Sequence, residues 1–279
     1  MPFEKIDSKN SEYVHTYEEF KIIYEHFKQF ADDLTIKAGR AKKPSGKASS
    51  YARYLMRLVI FVRREFDPHF QLKVTFAALK QIERLEKLEG FIQYNKTENH
   101  FPSATINCFR SFVAERAMAV EDMIDTEENV EYLTSKELPV VKEEALIYAP
   151  TKRTEKKPSK FGTTYTRSVV ESLAAKQRSN YRCEMSDTHF TFLTEHHKKP
   201  YVESHHLIPM AAQDYFEHTI DFAHNIATLC PTCHRKIHYA EPHEKEEMLQ
   251  YLFNKRQHDY IKYGIEIDFK TLCSFYKIL

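Results

Sequence analysis

The residues with chemical capability in this chain crowd between Ser204 and His238: Ser-His-His-Leu-Ile-Pro at 204–209, then Asn225, then Cys-Pro-Thr-Cys-His-Arg-Lys-Ile-His at 230–238. Two thiolates three positions apart, Cys230 and Cys233, make half of a tetrahedral zinc site. Neutral imidazoles can bind a second metal or act as a base near neutral pH. One small region therefore combines a scaffold metal with a hydrolytic centre.

A structural zinc site needs four ligands. Cys183 is the expected third. His189 is the expected fourth, with His196, His197 and His224 as competitors. Ser186 stands where a Cys-x-x-Cys knuckle would place a second thiol after Cys183. The tandem His205-His206 on an extended segment would point to opposite faces, one imidazole toward a metal and the other toward a water. His234 and His238 are four apart, so on a helix they share a face and can chelate together. His238 has an alternative as a zinc ligand or helix cap. Glu203 reads as solvent-exposed. The His-rich Glu195–Pro200 turn reads as a hairpin loop. Arg235 and Lys236 could touch phosphate or be ordinary exposed helix residues.

The elements that must position these groups are mostly helical. Five glycines in 279 residues and a charged fraction of 29% favour helices over an all-β fold. Thr16 and Glu19 form a candidate capping box, ahead of Phe20, Ile23, Tyr24, Phe27, Ala31 and Leu34 at helical spacing. Gly39, Pro44 and Gly46 break the chain. A second helix is expected from Ser49, with Tyr51, Leu55, Leu58, Val62 and Phe66 on one face and Arg53, Arg57 and Arg64 displayed. A third covers Leu72 to Leu88 and stops at Gly90. A fourth opens at Pro102-Ser103. A short helix is expected from Arg167 to Ser179 and a charged one from Pro242 to Tyr263, ended by Gly264, with a last short helix capped by Asp268.

Net charge is +1, but it is unevenly spread. Residues 36–64 carry nine basic side chains and no acid, namely Lys37, Arg40, Lys42, Lys43, Lys47, Arg53, Arg57, Arg63 and Arg64. Residues 115–144 carry ten acids and three bases, a balance of −7. A concentrated basic stretch suits contact with a phosphate backbone; alternatively it is a solvated face that pairs with the acidic segment. Pro150–Pro158, with Lys152, Arg153, Lys156, Lys157 and Lys160 around it, reads as an extended basic linker. The expected organisation is a helical domain over 1–150, a linker over 151–164 and a metal-bearing domain over 165–279. The five cysteines suit metal ligation in a reducing compartment better than a disulfide framework. No apolar signal core or membrane span is visible, so a cytoplasmic chain without membrane contact is expected.

The pattern His205-His206, Asn225, His234 and His238 closely resembles the HNH endonuclease family, whose sites use the ββα-metal fold. The flanking runs Tyr-Val-Glu-Ser-His-His-Leu-Ile-Pro and Asn-Ile-Ala-Thr-Leu-Cys-Pro-Thr-Cys-His look like the HNH domains of bacterial restriction enzymes. The resemblance covers about residues 165–240. Ser186 departs from the four-Cys zinc version and favours a Cys-His-Cys-Cys site. The resemblance implies an α+β chain in which a helical N-terminal domain precedes a zinc-stabilised nuclease domain with C-terminal helices. It implies His206 as general base, Asn225 as the residue that holds the His206 segment, and His205, His234 and His238 as ligands of one divalent cation. Mg²⁺ or Mn²⁺ is expected there, with Ni²⁺ or Zn²⁺ suited to an all-imidazole set. The implied function is cleavage of double-stranded DNA, as in a restriction enzyme, by a homodimer and with no small-molecule substrate. The competing expectation is a non-catalytic zinc module that binds nucleic acid or protein.

Overall fold

The computed structural model describes residues 3–37, 46–159 and 162–278. Gly39, Arg40, Lys42, Lys43, Pro44 and Lys160, named above, lie outside them, as does the side chain of Lys37. The fold is α+β. The chain divides into two compact units at Glu115/Arg116. The expected boundary at 151–164 therefore falls inside the second unit, and the division lies within a long helix.

In the first unit, helix α1 spans Ser11–Glu19. Its N-cap is Asn10, whose side chain accepts from Glu12 N and Tyr13 N. Thr16 is not a cap: it is buried in the middle of α1, and the chain breaks at Phe20 before α2, Lys21–Lys37. Helix α3, Gly46–Glu65, packs against α1, α2 and α4 (Phe76–Glu83). It is buried on every face from Leu55 to Val62 rather than along one stripe, as expected of a central helix surrounded by others. The expected third helix is α4 followed by a 3₁₀ turn, Arg84–Lys87. Gly90, at φ +90°, then admits a further helix, α5, Phe91–Thr97, in a left-handed conformation that costs glycine little.

Helix α6 runs from Phe101 to Thr134, carrying the expected fourth helix through the acidic segment. Its residues from Arg116 onward belong to the second unit. There, a hairpin of β1 (Lys157–Ser159) and β2 (Gly162–Thr164) precedes α7, Val169–Arg178. The segment before it is not a free linker. Lys152 bridges to His218, Arg153 Nη1 donates to the Gln213 and Phe216 carbonyls, and Lys156 pairs with Asp214 at 2.5 Å.

Next come β3 (Glu203–His206), β4 (Ile226–Leu229) and α8 (Pro231–Tyr239). The strands are antiparallel, with His205 opposite Ala227 and His206 opposite Ile226, and α8 packs against both. Leu207, Ile208, Ile226, Ala227, Leu229 and Ile237 are fully buried here. Helix α7 is fastened behind β4: Glu171 accepts from Ile147 N and Ala223 N, and Arg178 donates to the Ala223 and Ile226 carbonyls.

The expected helix from Pro242 to Tyr263 is interrupted. Helix α9 spans only Pro242–Asn254, α10 is the single turn Gln257–Tyr260, and a 3₁₀ turn runs to Tyr263. The cause is Arg256, which is buried and drawn to both Glu184 oxygens at 2.7 Å and to the Leu252 carbonyl. Gly264 (φ +68°) ends the run, and Asp268 caps α11, Phe269–Phe275, by accepting from Thr271 N. Among the described residues no helix is long and apolar enough to cross a membrane.

Candidate active site

Cys183, His189, Cys230 and Cys233 offer donor atoms within 4.8 Å of one another and could hold a metal ion such as zinc. The sequence explains the arrangement locally. Cys230 is the N-cap of α8, with Pro231 in the first turn, where a missing N–H costs nothing. Cys233 lies one turn on and its N–H points at Cys230 Sγ. Cys183 is held against β4 because Glu184 N donates to Thr228 O and the Glu184 carboxylate accepts from Thr228 N. Ser186 is no ligand. Its hydroxyl accepts from Thr188 N, and the turn it makes brings His189 Nδ1 to 3.4 Å from Cys233 Sγ and 3.8 Å from Cys230 Sγ. Hydrogen bonds, foremost from the Cys233 thiol, pull the Cys183 thiol down to about 4 and leave Cys233 well above the usual thiol range. Three sulfur atoms competing for protons beside an imidazole are a donor set that a cation satisfies better. His196, His197 and His224 lie elsewhere: Thr194–Lys199 forms the expected turn, His197 approaches the Tyr132 carbonyl, and His224 takes a hydrogen bond from the Tyr263 hydroxyl.

A second cluster joins His205, His234 and His238 to a residue not singled out above, Asp125 on α6, again within 4.8 Å. His205 is fully buried; its Nε2 is 2.8 Å from the Tyr276 hydroxyl, and its Nδ1 has no hydrogen-bond partner. His234 Nε2 and His238 Nε2 are 3.2 Å apart and lie 3.6 and 3.7 Å from Asp125 Oδ2. His238 thus belongs to this group and not to the cysteines. Glu203 is not exposed: it is buried, accepts from Tyr201 Oη, and binds His234 Nδ1 at 2.7 Å. That contact turns Nε2 of His234 toward the other donors. A carboxylate behind an imidazole is the usual means of orienting a metal ligand.

The electrostatics follow. Burial, aided by the charge of its histidine neighbours, lowers His205 well below the ordinary range and His238 to about 4. Burial opposes charge on His234 too, but Asp125 and Glu203 outweigh it and raise this residue to about 9. Burial works against ionisation of Asp125, yet Arg167 and His234 hold it well below the carboxylate range.

His206 points away from this cluster, as the alternation of β3 requires. Its Nε2 is 2.9 Å from Asp221 Oδ1, whose other oxygen accepts from Ser168 N. It lines a cavity of about 310 Å³ together with Arg167, Ser172, Ser204 and Glu128. Asn225 is fully buried. It donates to the Ile208 and Ile220 carbonyls and accepts from Ile208 N and the Tyr260 hydroxyl. It therefore clasps the turn that leaves β3 just after His206.

Comparison with protein-family models, with curated proteins and with solved structures returned no match.

The candidate phosphate contacts fare unevenly. Arg57 is buried, donates to the Ile6 carbonyl and stacks over Tyr54, so it is not displayed. Arg64 pairs with Glu12 and Glu4, and Arg53 is exposed near Ser50. Arg235 pairs with Asp122, and Lys236 with Glu244. Sequence reasoning missed Asp125, Arg167 and Asp221. The signal for the first lay in Glu121, Asp125 and Glu128, spaced four and three, hence on one helical face. Nothing local marks Arg167 or Asp221.

Proposed function

We propose that the chain is a metal-dependent endonuclease of the HNH, ββα-metal kind that hydrolyses phosphodiester bonds of double-stranded DNA, most simply as a restriction enzyme. One observation carries the reading. Adjacent residues of β3 serve two separate sites: His205 turns toward His234 and His238 of the helix that follows the strand pair, and His206 turns toward a cavity and is held by Asp221.

His205, His234 and His238 would hold the cation. Three imidazoles favour Mn²⁺, Ni²⁺ or Zn²⁺ over Mg²⁺ on ligand softness. When bound, such an ion supplies positive charge at the scissile phosphate and the leaving 3′ oxygen. His206 takes the proton of the attacking water. Asp221, bound to its Nε2, keeps the ring oriented, leaves Nδ1 to accept that proton and stabilises the imidazolium that results. Asn225 fixes the turn beyond His206, so the ring keeps its place on the strand. The cysteine cluster anchors the start of α8 and with it His234 and His238.

Plasmid cleavage in Mn²⁺ or Mg²⁺ tests the reading. Cleavage by the wild type that falls in His206→Ala, with two metals per chain in the wild type and one in His205→Ala, supports it. Equal residual cleavage in wild type and His206→Ala overturns the assigned base. A duplex needs two cuts, so a dimer on a two-fold DNA site belongs to the same reading; light scattering that gives only monomer with and without DNA overturns that part.

A further inference from the structure

Helix α6 sets four acidic side chains, Glu121, Asp122, Asp125 and Glu128, against the histidine cluster, Arg167 and α8. Asp125 completes the histidine cluster. Arg167, almost wholly buried, is bound by three carboxylates at once: Asp125 in a very short contact, Glu128 at 3.2 Å and Glu121 at 3.4 Å. Glu121 also accepts from Met210 N and Ala211 N, and Asp122 takes Arg235 and the Tyr239 hydroxyl of α8.

An acidic cluster by itself signifies little. A second fact gives this one meaning: the buried Nδ1 of His205 has no partner, although a carboxylate and two more imidazoles share its cluster. A donor left bare in such a group points to a ligand. A cation held there would have Asp125 as the one anionic donor among the imidazoles, an oxygen of the kind a phosphate would also offer. The same helix face occupies the buried guanidinium suited to a second phosphate oxygen.

We propose, resting on the endonuclease reading, that the acidic face of α6 is a built-in substitute for a DNA phosphate backbone. Asp125 completes the His205–His234–His238 donor set. Glu121, Asp125 and Glu128 hold Arg167, the residue that receives a phosphate when α6 withdraws. The resting chain is then a restrained nuclease, and DNA competes with its own helix for the same cationic groups.

The test uses the full chain in a His206→Ala background, with Mn²⁺ and a fluorescein-labelled DNA duplex at low salt. Glu121→Gln combined with Glu128→Gln spares every metal donor and removes two competing charges. It is expected to tighten duplex binding by about tenfold or more, as for charge pairs made across a buried interface. Adding Arg167→Ala should abolish that gain. Hydrogen exchange on the His206→Ala chain, with α6 unaltered, gives an answer even if the multiple variants fold poorly. Excess duplex should lower amide protection across residues 121–128, and unchanged or increased protection in the DNA complex overturns the proposal. So does a folded double-Gln variant with unchanged duplex affinity. If the histidine cluster binds no Mn²⁺ in wild type or variants, the endonuclease reading fails. If it binds Mn²⁺, and His206-intact chains cut DNA while α6 stays protected, only the restraint fails.

Discussion

His234 Nε2 faces His238 Nε2 at 3.2 Å while its own Nδ1 is committed to Glu203 at 2.7 Å. One shared proton satisfies the two facing nitrogens, and a divalent cation can replace it. Glu203 decides which nitrogen of His234 takes part.

Replacing Glu203 by Gln keeps the shape and removes the charge behind His234. Mn²⁺ affinity at the histidine cluster should fall by about 10–100-fold, the usual cost of losing an outer-shell partner. Zinc content should not change. Metal titration by calorimetry, with zinc counted by elemental analysis, checks both.

Asp221→Asn leaves His206 in place but without its anionic partner. Nicking should slow by about 10–1000-fold, less than or equal to the loss in His206→Ala, because a positioned general base contributes about 10²–10⁴-fold. Single-turnover plasmid nicking reads this, and an unaffected rate removes Asp221 from the mechanism.

Cys230→Ser takes one thiolate from the cysteine group while keeping a side-chain acceptor at the N-cap of α8. Zinc content should drop by one per chain and the melting temperature should fall. A chelator should lower the wild-type melting temperature in the same way, since ligand binding and folding are coupled. Differential scanning calorimetry with and without chelator tests this.

Lys176 supplies a pH signature. Burial brings its ammonium down to about 7, only partly opposed by Glu203 and Glu128; its Nζ donates to the Val202 carbonyl and lies over the Tyr132 ring. The folded value is below the unfolded one, so the unfolded chain binds the extra proton between about pH 7 and 10.5. The Lys176 contribution to stability should therefore rise with pH in that window, by about 1 kcal/mol per unit. In Lys176→Met this contribution is absent, so the stability of the wild type minus that of the variant should rise by about 1 kcal/mol per pH unit from pH 7 to 9, the titration of His234 being common to both. Urea unfolding at several pH values measures it.

Much of the centre was legible because its ligands are local. Cys230, Cys233, His234 and His238 sit on one helix start, and the spacing of three and four is a property of the helix itself. His205 and His206 diverge because a strand alternates its faces. The same local rules placed the helix start at Asp268 and the stop at Gly264.

They failed where a side chain's partner is remote in sequence. Thr16 has the spacing of a cap, but Asn10 captures the start of α1. Arg57 lies in a basic stretch, yet the Ile6 carbonyl and the Tyr54 ring take it inside. Glu203 looked solvent-exposed until His234 was brought to it, and Arg256 breaks a helix because Glu184 lies beside it. Asp125 and Arg167 reach the site from α6 and from the loop before α7, far in sequence from the residues they meet, and Asp221 lies 15 residues beyond His206. The chain alone determined which donors exist and how each turn or strand presents them. Burial decided which carboxylate faces which cation, because a charge removed from water must find a partner wherever the fold supplies one.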